Sequence, residues 1–434
     1  MNTLFCNAVI VTMDDRRQIL PEGFAAVRDG RIESVGSVRP EGSFDREIDC
    51  GGKLLLPGLV NAHTHVTMSL LRGYADGHDL HSWLNDWIFP AEDLLDADAV
   101  RAGTLLSMAE LIAGGVTCIA DGYYHCDEII EAVLDAGISA NIARSVSCFD
   151  PTIGDPMKHR PVQEQKELLA RWHGAGGGRI RIDAGIHGEY TSYAMPELWR
   201  HEADWAREED LVLQLHLSET RSEQEDCIRR WGKTPTEVMD EAGVWDARAL
   251  AAHAVQATDS DLDILAEKGV TVVHNPVSNL KLGSGIAPIP AMLARGIRVA
   301  LGTDGPSSND SQDLFEEMKL AVILHRGAAE DPGILSTMTA LDMATRSGAD
   351  ALGRNAGRIE AGRVADLILV DSDRPGLTPC FDPISALVYC AGGHDVCLTM
   401  AQGRILYENG EWTTLDVPAL LHDARAAARR IRRA

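Results

Sequence analysis

The chain is organised around the segment Leu54-Leu55-Leu56-Pro57-Gly58-Leu59-Val60-Asn61-Ala62-His63-Thr64-His65. An apolar run leads through a Pro-Gly break to two histidines that stand one residue apart. Side chains at positions i and i+2 of a β-strand point to the same face, so His63 and His65 can both aim at one metal ion. Because most histidine pairs with this spacing bind no metal, other ligands elsewhere in the chain must support the interpretation.

The middle of the chain alternates apolar strand-like runs with amphipathic helices. Alternating strands and helices indicate parallel β/α units, and about eight such units close into a barrel. The predicted strands after the first histidine pair are residues 116–121, 140–144, 180–187, 211–216, 250–253, 270–274 and 299–304. We therefore predict an α/β fold with a (β/α)8 TIM-like barrel over residues 57–361.

Both ends of the chain are rich in short strands. Residues 8–13, 23–28 and 31–36 read as strands, with Asp29-Gly30 as a hairpin turn, and residues 362–371 and 396–406 are similar. Chain ends commonly lie close together, so we expect residues 1–56 and 362–413 to form one small composite β-sandwich domain. Residues 414–434 are predicted to be a C-terminal helical tail.

Composition and charge limit the partners. The formal net charge is −25, whereas a nucleic-acid surface requires a basic stripe, so we predict no nucleic-acid partner. The basic segment from Arg425 to Arg433 is interpreted as a solvated helix end favoured by the helix dipole. Nine cysteines without a C-x-x-C pair, no basic leader and no apolar run of about 18 residues predict a cytoplasmic protein with no membrane partner.

Polar side chains recur where the predicted strands end. In a (β/α) barrel these ends surround one mouth, where enzymes of this fold place their sites. A lone histidine there is more often structural, but several at the same edge indicate a shared site. The residues at these ends are His63, His65, His187, His216, His253, His274 and Asp304.

Four of these residues form a set suited to a divalent metal ion. His63, His65, His216 and Asp304 supply three imidazole nitrogens and one carboxylate, which suit Zn²⁺, or Fe²⁺ as the alternative, with a position left for water. Such an ion lowers the pKa of bound water from 15.7 to about 7, so the expected nucleophile is water. We therefore predict one divalent metal ion as cofactor.

Three residues are predicted to be catalytic. Glu219 follows His216 by three residues, so a turn after the strand brings its carboxylate beside the water, where it can move a proton to the substrate. The alternative is an exposed loop glutamate. His253 can hydrogen-bond the hydroxide, and Asp304 can share that work while it contacts the metal.

These motifs resemble the amidohydrolase superfamily, and more narrowly its branch of methylthioadenosine/S-adenosylhomocysteine deaminases and triazine hydrolases. The resemblance spans nearly the whole chain. It implies a mononuclear metal site, a homo-oligomer, and hydroxide attack on a ring carbon that bears an amine, with Glu219 protonating the neighbouring ring nitrogen. The segments that carry it are residues 57–65, 216–219, 252–253, 274–282, 302–305 and 362–367.

The resemblance also implies contacts with a small-molecule substrate. Glu92 matches a glutamate that faces the ribose hydroxyls, although it can also be a helix N-terminal carboxylate. Arg144 matches an arginine near the nucleoside tail, and His187 matches a histidine that contacts the purine. No arginine clearly matches the second one of these deaminases, with Arg160 as the nearest candidate, and Glu189 stands where the family usually has proline.

We therefore predict a metal-dependent aminohydrolase that deaminates an adenosine-type nucleoside: methylthioadenosine, S-adenosylhomocysteine or 5′-deoxyadenosine. The alternative is a deaminase or hydrolase of a free base, a pterin or an s-triazine by the same mechanism, for which Glu92 and Arg144 would have no ribose to hold. A non-catalytic protein of this fold would be expected to lack metal ligands, and none is lost here.

Overall fold

The computed structural model describes residues 2–431 of the chain. The N-terminal part forms five strands: β1 (Thr3–Val11), β2 (Ile19–Arg28), β3 (Arg31–Gly36), β4 (Arg46–Asp49) and β5 (Leu54–Pro57). Eight strands then form the parallel sheet: β6 (Leu59–Thr64), β7 (Val116–Tyr123), β8 (Ser139–Arg144), β9 (Ile180–Gly185), β10 (Val212–Leu217), β11 (Arg248–His253), β12 (Thr271–His274) and β13 (Arg298–Leu301). Four strands follow near the C-terminus: β14 (Leu367–Val370), β15 (Val396–Ala401), β16 (Arg404–Glu408) and β17 (Glu411–Trp412).

The parallel sheet closes into a barrel. Its strands pair in chain order from β6 to β13, and the ends of the sheet meet where Thr64 bridges Asp304. The Asp304 backbone N–H donates to the His63 carbonyl at 3.0 Å. Most of these strands are buried along their whole length, as expected when helices cover the outside of a parallel barrel.

Helices cross between the barrel strands and cover the outside. The helices before β10 are α1 (Leu80–Ser82), α2 (Phe89–Glu92), α3 (Ala97–Ala113), α4 (Cys126–Ala136), α5 (Arg160–Trp172), α6 (Ala175–Gly178) and α7 (Glu197–Glu208). Those up to the last barrel strand are α8 (Arg221–Trp231), α9 (Pro235–Glu241), α10 (Asp259–Lys268), α11 (Pro276–Lys281) and α12 (Ile289–Ala294). The remainder are α13 (Leu314–Ala329), α14 (Thr337–Asp342), α15 (Gly348–Ala351), α16 (Pro383–Tyr389) and α17 (Val417–Ile431).

The second sheet joins both ends of the chain. Strand β5 pairs in parallel with β1 and antiparallel with β14, so a strand from the N-terminal part lies beside one from the C-terminal part. All nine strands outside the barrel belong to this one mixed sheet. The predicted fold class, a TIM-like barrel with an additional β domain built from both chain ends, is confirmed. The residue boundaries given above for these units remain predictions.

The C-terminal helix α17 packs against α3. Its buried residues Leu420, Ala424, Ala427 and Ile431 recur at helical spacing on one face. Arg430 reaches Asp96 at 3.0 Å, so part of the basic segment forms an ion pair on the barrel surface. Arg432 and Arg433 lie outside the described residues. Within residues 2–431, the structure contains no helix with the length and apolar character needed to cross a membrane.

Candidate active site

Five of the predicted residues meet at the carboxyl edge of the barrel. His63 lies in β6, with His65 just beyond it, while His216 lies in β10 and His253 ends β11. Asp304 follows β13. The side chains of all five are buried, and the His63 ring centroid lies 4.8 Å from that of His65 and 4.9 Å from that of His216. Closure of the barrel therefore brings together residues separated by up to 241 positions in the chain.

Hydrogen bonds to backbone carbonyls determine the tautomers of two histidines. His65 donates from Nδ1 to the Gly122 carbonyl at 2.7 Å, and His216 donates from Nδ1 to the His187 carbonyl at 2.6 Å. Both Nε2 atoms therefore carry lone pairs, yet they lie only 3.2 Å apart. Two lone pairs at this distance repel each other unless a cation lies near both, so the arrangement fits a bound metal ion.

The carboxylate of Asp304 completes the donor set. Its Oδ1 lies 3.3 Å from Nε2 of both His63 and His65. Its Oδ2 accepts hydrogen bonds from Ser278 Oγ at 2.6 Å and Ser308 Oγ at 2.9 Å, which leaves Oδ1 directed at the histidines. Burial opposes ionisation of Asp304, but the adjacent imidazole rings of His63 and His65 keep its pKa well below the ordinary value. The residues thus offer a buried His/Asp metal-binding site.

The backbone is unusual at three of the strand ends that build the site. Ser218, His253, Ala254 and Asp304 have φ values of 45°, 74°, 47° and 62°. Residues other than glycine rarely adopt this left-handed conformation, and such residues concentrate at functional sites where the surrounding structure holds them in place. The turns redirect the chain at the mouth of the barrel, so that side chains point inward.

Glu219 lies beside these histidines and Asp304, which are called the His/Asp cluster below. It is only 2% exposed, its Oε2 lies 3.7 Å from His253 Nε2, and its Oε1 has no hydrogen-bond partner among the described residues. Burial raises the pKa of this carboxyl. His253 in turn donates from Nδ1 to Asn279 Oδ1 at 2.8 Å, which leaves its Nε2 directed toward Glu219. Both predicted proton-transfer residues therefore face the same space as the donor set.

Glu223 holds the turn that carries Glu219, a role that the sequence did not reveal. Its carboxylate accepts hydrogen bonds from the backbone N–H of Ser218 at 2.9 Å, of Glu219 at 2.6 Å and of Thr220 at 3.4 Å. Thr220 and Glu223 also form the capping box that begins α8. The sequence signal was present, because Thr-x-x-Glu is the pattern of a capping box.

A cavity of about 50 Å³ adjoins the cluster. Its wall is largely aromatic and apolar, including Trp83, Leu84, Phe89, Tyr123 and Tyr124, while Glu219, His253 and Asp304 line the polar side. A π-helical segment, Trp83–Ile88, lies between α1 and α2 and supplies part of this wall. A neighbouring cavity of about 270 Å³ shares Leu80, Leu84, Phe89 and Tyr190 with it.

Two of the predicted substrate contacts line the small cavity. Glu92 is 9% exposed and accepts a hydrogen bond from the Tyr123 hydroxyl, and burial raises its pKa to about 7. His187 is partly buried, with its Nε2 3.0 Å from the Tyr190 hydroxyl. Loss of solvation lowers the pKa of His187 to about 3, so its ring is neutral at physiological pH.

Arg144 lies outside this cavity. Its Nε donates to Glu164 Oε2 at 3.0 Å, and its guanidinium lies over the Tyr124 ring at 5.0 Å from the centroid. Arg160 bonds to Glu164 and Glu167 on the surface of the same region. Tyr124 thus stands between Arg144 and the cavity, and the part that the arginine plays in substrate binding remains a prediction.

Glu189, the departure from the family pattern, is a buried carboxylate that bonds to two partially exposed side chains. Its carboxylate pairs with Arg230 and accepts a hydrogen bond from Trp231 Nε1 at 2.8 Å. Glu189 is 1% exposed and does not line the small cavity. These contacts connect the loop after β9 to α8, so the Glu189 carboxylate stabilises the packing of that loop against the helix.

Comparison with known proteins identifies the family to which the chain is similar. The amidohydrolase family matches residues 54–406. A 5′-deoxyadenosine deaminase of Methanothermobacter thermautotrophicus is 42% identical over 94% of each chain. A 5-methylthioadenosine/S-adenosylhomocysteine deaminase of Acetivibrio thermocellus is 40% identical over 100% of both chains.

Solved structures agree with this match. A zinc-bound adenosine deaminase from Xanthomonas campestris has a TM-score of 0.94 and 32% identity, covering 100% of this chain and 99% of that one. An atrazine chlorohydrolase from Arthrobacter aurescens, complexed with zinc, has a TM-score of 0.92 and 28% identity, covering 98% of this chain and 100% of that one. The predicted superfamily and the predicted hydrolase class are confirmed. The chain belongs to the amidohydrolase family.

Proposed function

We propose that this protein is a metal-dependent aminohydrolase that converts an adenosine-type nucleoside to its inosine analogue and ammonia. The substrates that we consider are methylthioadenosine, S-adenosylhomocysteine and 5′-deoxyadenosine. The observation that carries the proposal is the unpartnered Oε1 of Glu219, which is buried beside the His/Asp cluster in a cavity with aromatic walls. The names of the two deaminase relatives support the same reaction class.

We assign His63, His65, His216 and Asp304 as the ligands of one divalent ion, Zn²⁺ with Fe²⁺ as the alternative. The facing lone pairs of His65 and His216 and the free Oδ1 of Asp304 support this donor set. When bound, such an ion supplies the Lewis acidity that makes an activated water available at neutral pH. Zinc in the two similar structures supports zinc as the metal.

Glu219 is assigned as the proton shuttle. Its Oε1 is free to take a proton from the attacking water and to give it to the ring nitrogen next to the carbon that bears the amine. The raised pKa of the carboxyl suits a group that must hold a proton between these two steps. Because Glu223 fixes the backbone on both sides of Glu219, little reorganisation is needed during the transfer.

His253 and Asp304 are assigned as partners in this step. The Nδ1 proton of His253 is engaged by Asn279, so Nε2 can accept a hydrogen bond from the attacking water. Oδ2 of Asp304 is held by Ser278 and Ser308, so the carboxylate keeps a constant orientation toward the reacting centre. Both residues therefore orient the nucleophile, while Glu219 carries the proton.

Glu92, His187 and Arg144 are assigned to the substrate. The Glu92 carboxylate in the cavity wall can accept hydrogen bonds from two neighbouring ribose hydroxyls, and the neutral His187 ring can contact the purine. Arg144 would act at the nucleoside tail, and its distance from the small cavity requires that the tail extend past Tyr124. A nucleoside needs more space than about 50 Å³, so the segment over the cavity must move when substrate enters.

A second candidate is hydrolysis of a free base, a pterin or an s-triazine. The structural similarity to an atrazine chlorohydrolase supports it, because that enzyme acts on a triazine. In this case Glu92 would have no ribose to bind. The Glu92→Ala variant separates the candidates, since it should raise the KM for a nucleoside strongly and change turnover of a free base little.

Two further properties belong to the proposal. We infer a cytoplasmic location, which is supported by nine free cysteines, most of them buried, as expected in a reducing compartment. We also infer a homo-oligomer, on the basis of the family resemblance. Sedimentation velocity of the purified protein tests the oligomer, and a monomer at micromolar concentration would contradict it.

The function is tested by measuring ammonia release from a panel of substrates. Metal-replete protein is incubated with adenosine, methylthioadenosine, S-adenosylhomocysteine, 5′-deoxyadenosine, guanine, cytosine, a pterin and a chlorotriazine. We expect the adenosine-type nucleosides to be turned over and the isosteric Glu219→Gln variant to be inactive. Turnover of a free base or triazine alone would overturn the nucleoside assignment, and full activity of Glu219→Gln would overturn the mechanism.

A further inference from the structure

A further cavity lies away from the candidate active site. It has a volume of about 830 Å³ and lies between the amino edge of the barrel and the second sheet. Barrel residues at or near the starts of strands line one wall, namely Cys118 in β7, Ser139 in β8 and Arg181 in β9. The β2–β3 turn and strand β16 line the other wall. The His/Asp cluster lies at the opposite, carboxyl edge of the same barrel.

The cavity is rich in arginine although the chain as a whole carries a net charge of −25. Five arginines and three acidic residues line it. Arg46 forms an ion pair with Glu408, so the charges of these two residues cancel. Within residues 2–431, none of the other four arginines has a carboxylate oxygen within 4.0 Å; these are Arg31, Arg181, Arg354 and Arg404.

Two of these guanidinium groups lie deep in the cavity. Arg354 is 8% exposed and donates only to neutral oxygens, including Asn141 Oδ1 at 2.8 Å and the Gly178 carbonyl at 2.9 Å. Arg181 uses Nη1 for the Leu352 and Gly353 carbonyls and leaves its other N–H groups free. Burial and the neighbouring charge of Arg354 lower the pKa of Arg181, while the buried carboxylate of Asp183 opposes this shift only in part.

The other two arginines lie at the rim. The Arg404 side chain is exposed and makes no hydrogen bond or ion pair with the described residues, while the Arg31 side chain donates only to the Gly362 carbonyl at 3.0 Å. Two acidic residues of the lining remain beside these four arginines. Asp366 is buried with a pKa raised to about 6 and accepts from the Gln402 N–H, and Asp29 lies in the exposed β2–β3 turn.

We propose that this cavity is a binding site for a phosphorylated small molecule that carries at least two negative charges. Guanidinium groups bind phosphate oxygens through paired N–H donors, and the four arginines without an ion pair outnumber the two remaining acidic residues of the lining, which favours a polyanion. The volume lies in the range of about 300–1,000 Å³ that is usual for small-molecule sites, so a ligand up to the size of a nucleotide fits. The site is separate from the proposed catalytic function and does not depend on it.

The probe for the test is fructose 1,6-bisphosphate, which carries two phosphates and no purine, with fructose as the uncharged comparison. Binding is measured by isothermal titration calorimetry on the metal-replete protein at low ionic strength, where charge interactions are least screened. We expect the bisphosphate to bind and fructose not to bind. Arg404→Gln should weaken binding about tenfold, equivalent to about 1.4 kcal/mol. Arg31→Gln should act in the same direction.

The matched control is Arg16→Gln, since Arg16 is exposed on the sheet domain and lies outside the cavity. It should leave the affinity unchanged, and so should Glu219→Gln, because the catalytic centre takes no part. Lack of binding at millimolar bisphosphate would overturn the proposal, as would an equal loss in Arg16→Gln. If Arg404→Gln instead shifts the sedimentation coefficient and no bisphosphate binds, the cavity holds an acidic segment of a second copy and the proposal is wrong.

Discussion

The carboxylate of Glu223 positions the proposed proton shuttle, and its replacement by glutamine tests this directly. In Glu223→Gln one carboxylate oxygen becomes an NH2 group, which cannot accept a hydrogen bond. Each carboxylate oxygen now accepts at least one backbone N–H from the turn that contains Ser218, Glu219 and Thr220. At least one of these bonds is therefore lost, and an N–H group faces another N–H group in a buried position.

The size of the effect follows from the bonds that are lost. A hydrogen bond to a charged group contributes about 1.5–3 kcal/mol, so we expect the variant to lose about 2 kcal/mol of stability. The turn must relax to separate the facing donors, and this moves Glu219. A displacement of about 1 Å of a catalytic group lowers the rate about a hundredfold, so kcat/KM should fall by about that factor.

Glu237→Gln is the matched control on the next helix. Thr234 and Glu237 form the same kind of capping box at the start of α9, but Glu237 accepts only the Thr234 N–H, at 2.9 Å, and no proposed catalytic residue lies in that turn. A glutamine keeps the one acceptor that is needed there, so activity should be unchanged. Ammonia release with the best nucleoside measures kcat and KM, and thermal unfolding followed by circular dichroism measures stability.

The comparison of the two variants determines whether the reasoning holds. We expect Glu223→Gln to lose kcat with little change in KM, because the turn orients a proton shuttle and does not bind the ribose. If Glu223→Gln loses stability but keeps activity within about threefold, the reasoning about Glu219 is refuted. If both variants lose activity equally, the loss reflects general damage to the barrel edge and not the position of Glu219.

Three further predictions concern the metal, Glu92 in the cavity wall and the ion pair of Glu189 with Arg230. Removal of the metal by a chelator should abolish activity and lower the thermal midpoint, because an ion present at about 1,000 times its Kd stabilises the folded state by about 4 kcal/mol; an unchanged midpoint would contradict the ligand set. Glu92 has a folded-state pKa of about 7 against an ordinary value of 4.5, so the folded state holds its proton more tightly. The free energy of unfolding should therefore fall as pH rises from about 4.5 to 7 and then level off, and Glu92→Gln should gain up to about 3 kcal/mol above pH 7 in urea unfolding; an identical pH profile for the variant would count against a buried, ionisable Glu92. Glu189→Gln removes the charge of a buried carboxylate whose partner Arg230 reaches solvent, and it should lose about 1.5 kcal/mol of stability while KM for the nucleoside changes less than twofold; a large rise in KM would instead place Glu189 at the substrate.

Much of the site could be predicted from the sequence because each ligand is marked by a local pattern. The histidines and Asp304 follow apolar strand runs, and parallel barrel topology places all such strand ends at one edge. The three-residue spacing of His216 and Glu219 is also local, because one turn after a strand returns a side chain toward the same mouth. These inferences need no knowledge of which strands are neighbours.

The parts that could not be predicted depend on contacts between distant segments. Ser278 in α11 and Ser308 in the loop after β13 orient Asp304. Tyr124 stands between the small cavity and Arg144, which the family resemblance places near the nucleoside tail. No periodicity records which loop packs over which, since the side chains involved are exposed or buried only once the barrel is closed.

The sequence by itself determined the alternation of strands and helices, the additional β segments at both ends and the set of side chains proposed to bind the metal. These follow from short-range patterns of apolar and polar residues, which decide strand ends and the face that each side chain occupies. Only the tertiary structure showed the pairing of β6 with β13 and the hydrogen bonds between the Glu223 carboxylate and the turn that contains Glu219. It also showed the arginine-lined cavity between the two sheets. Arg31 and Arg404 are more than 370 residues apart, and only the packing of the sheet from both chain ends against the barrel brings them to one space.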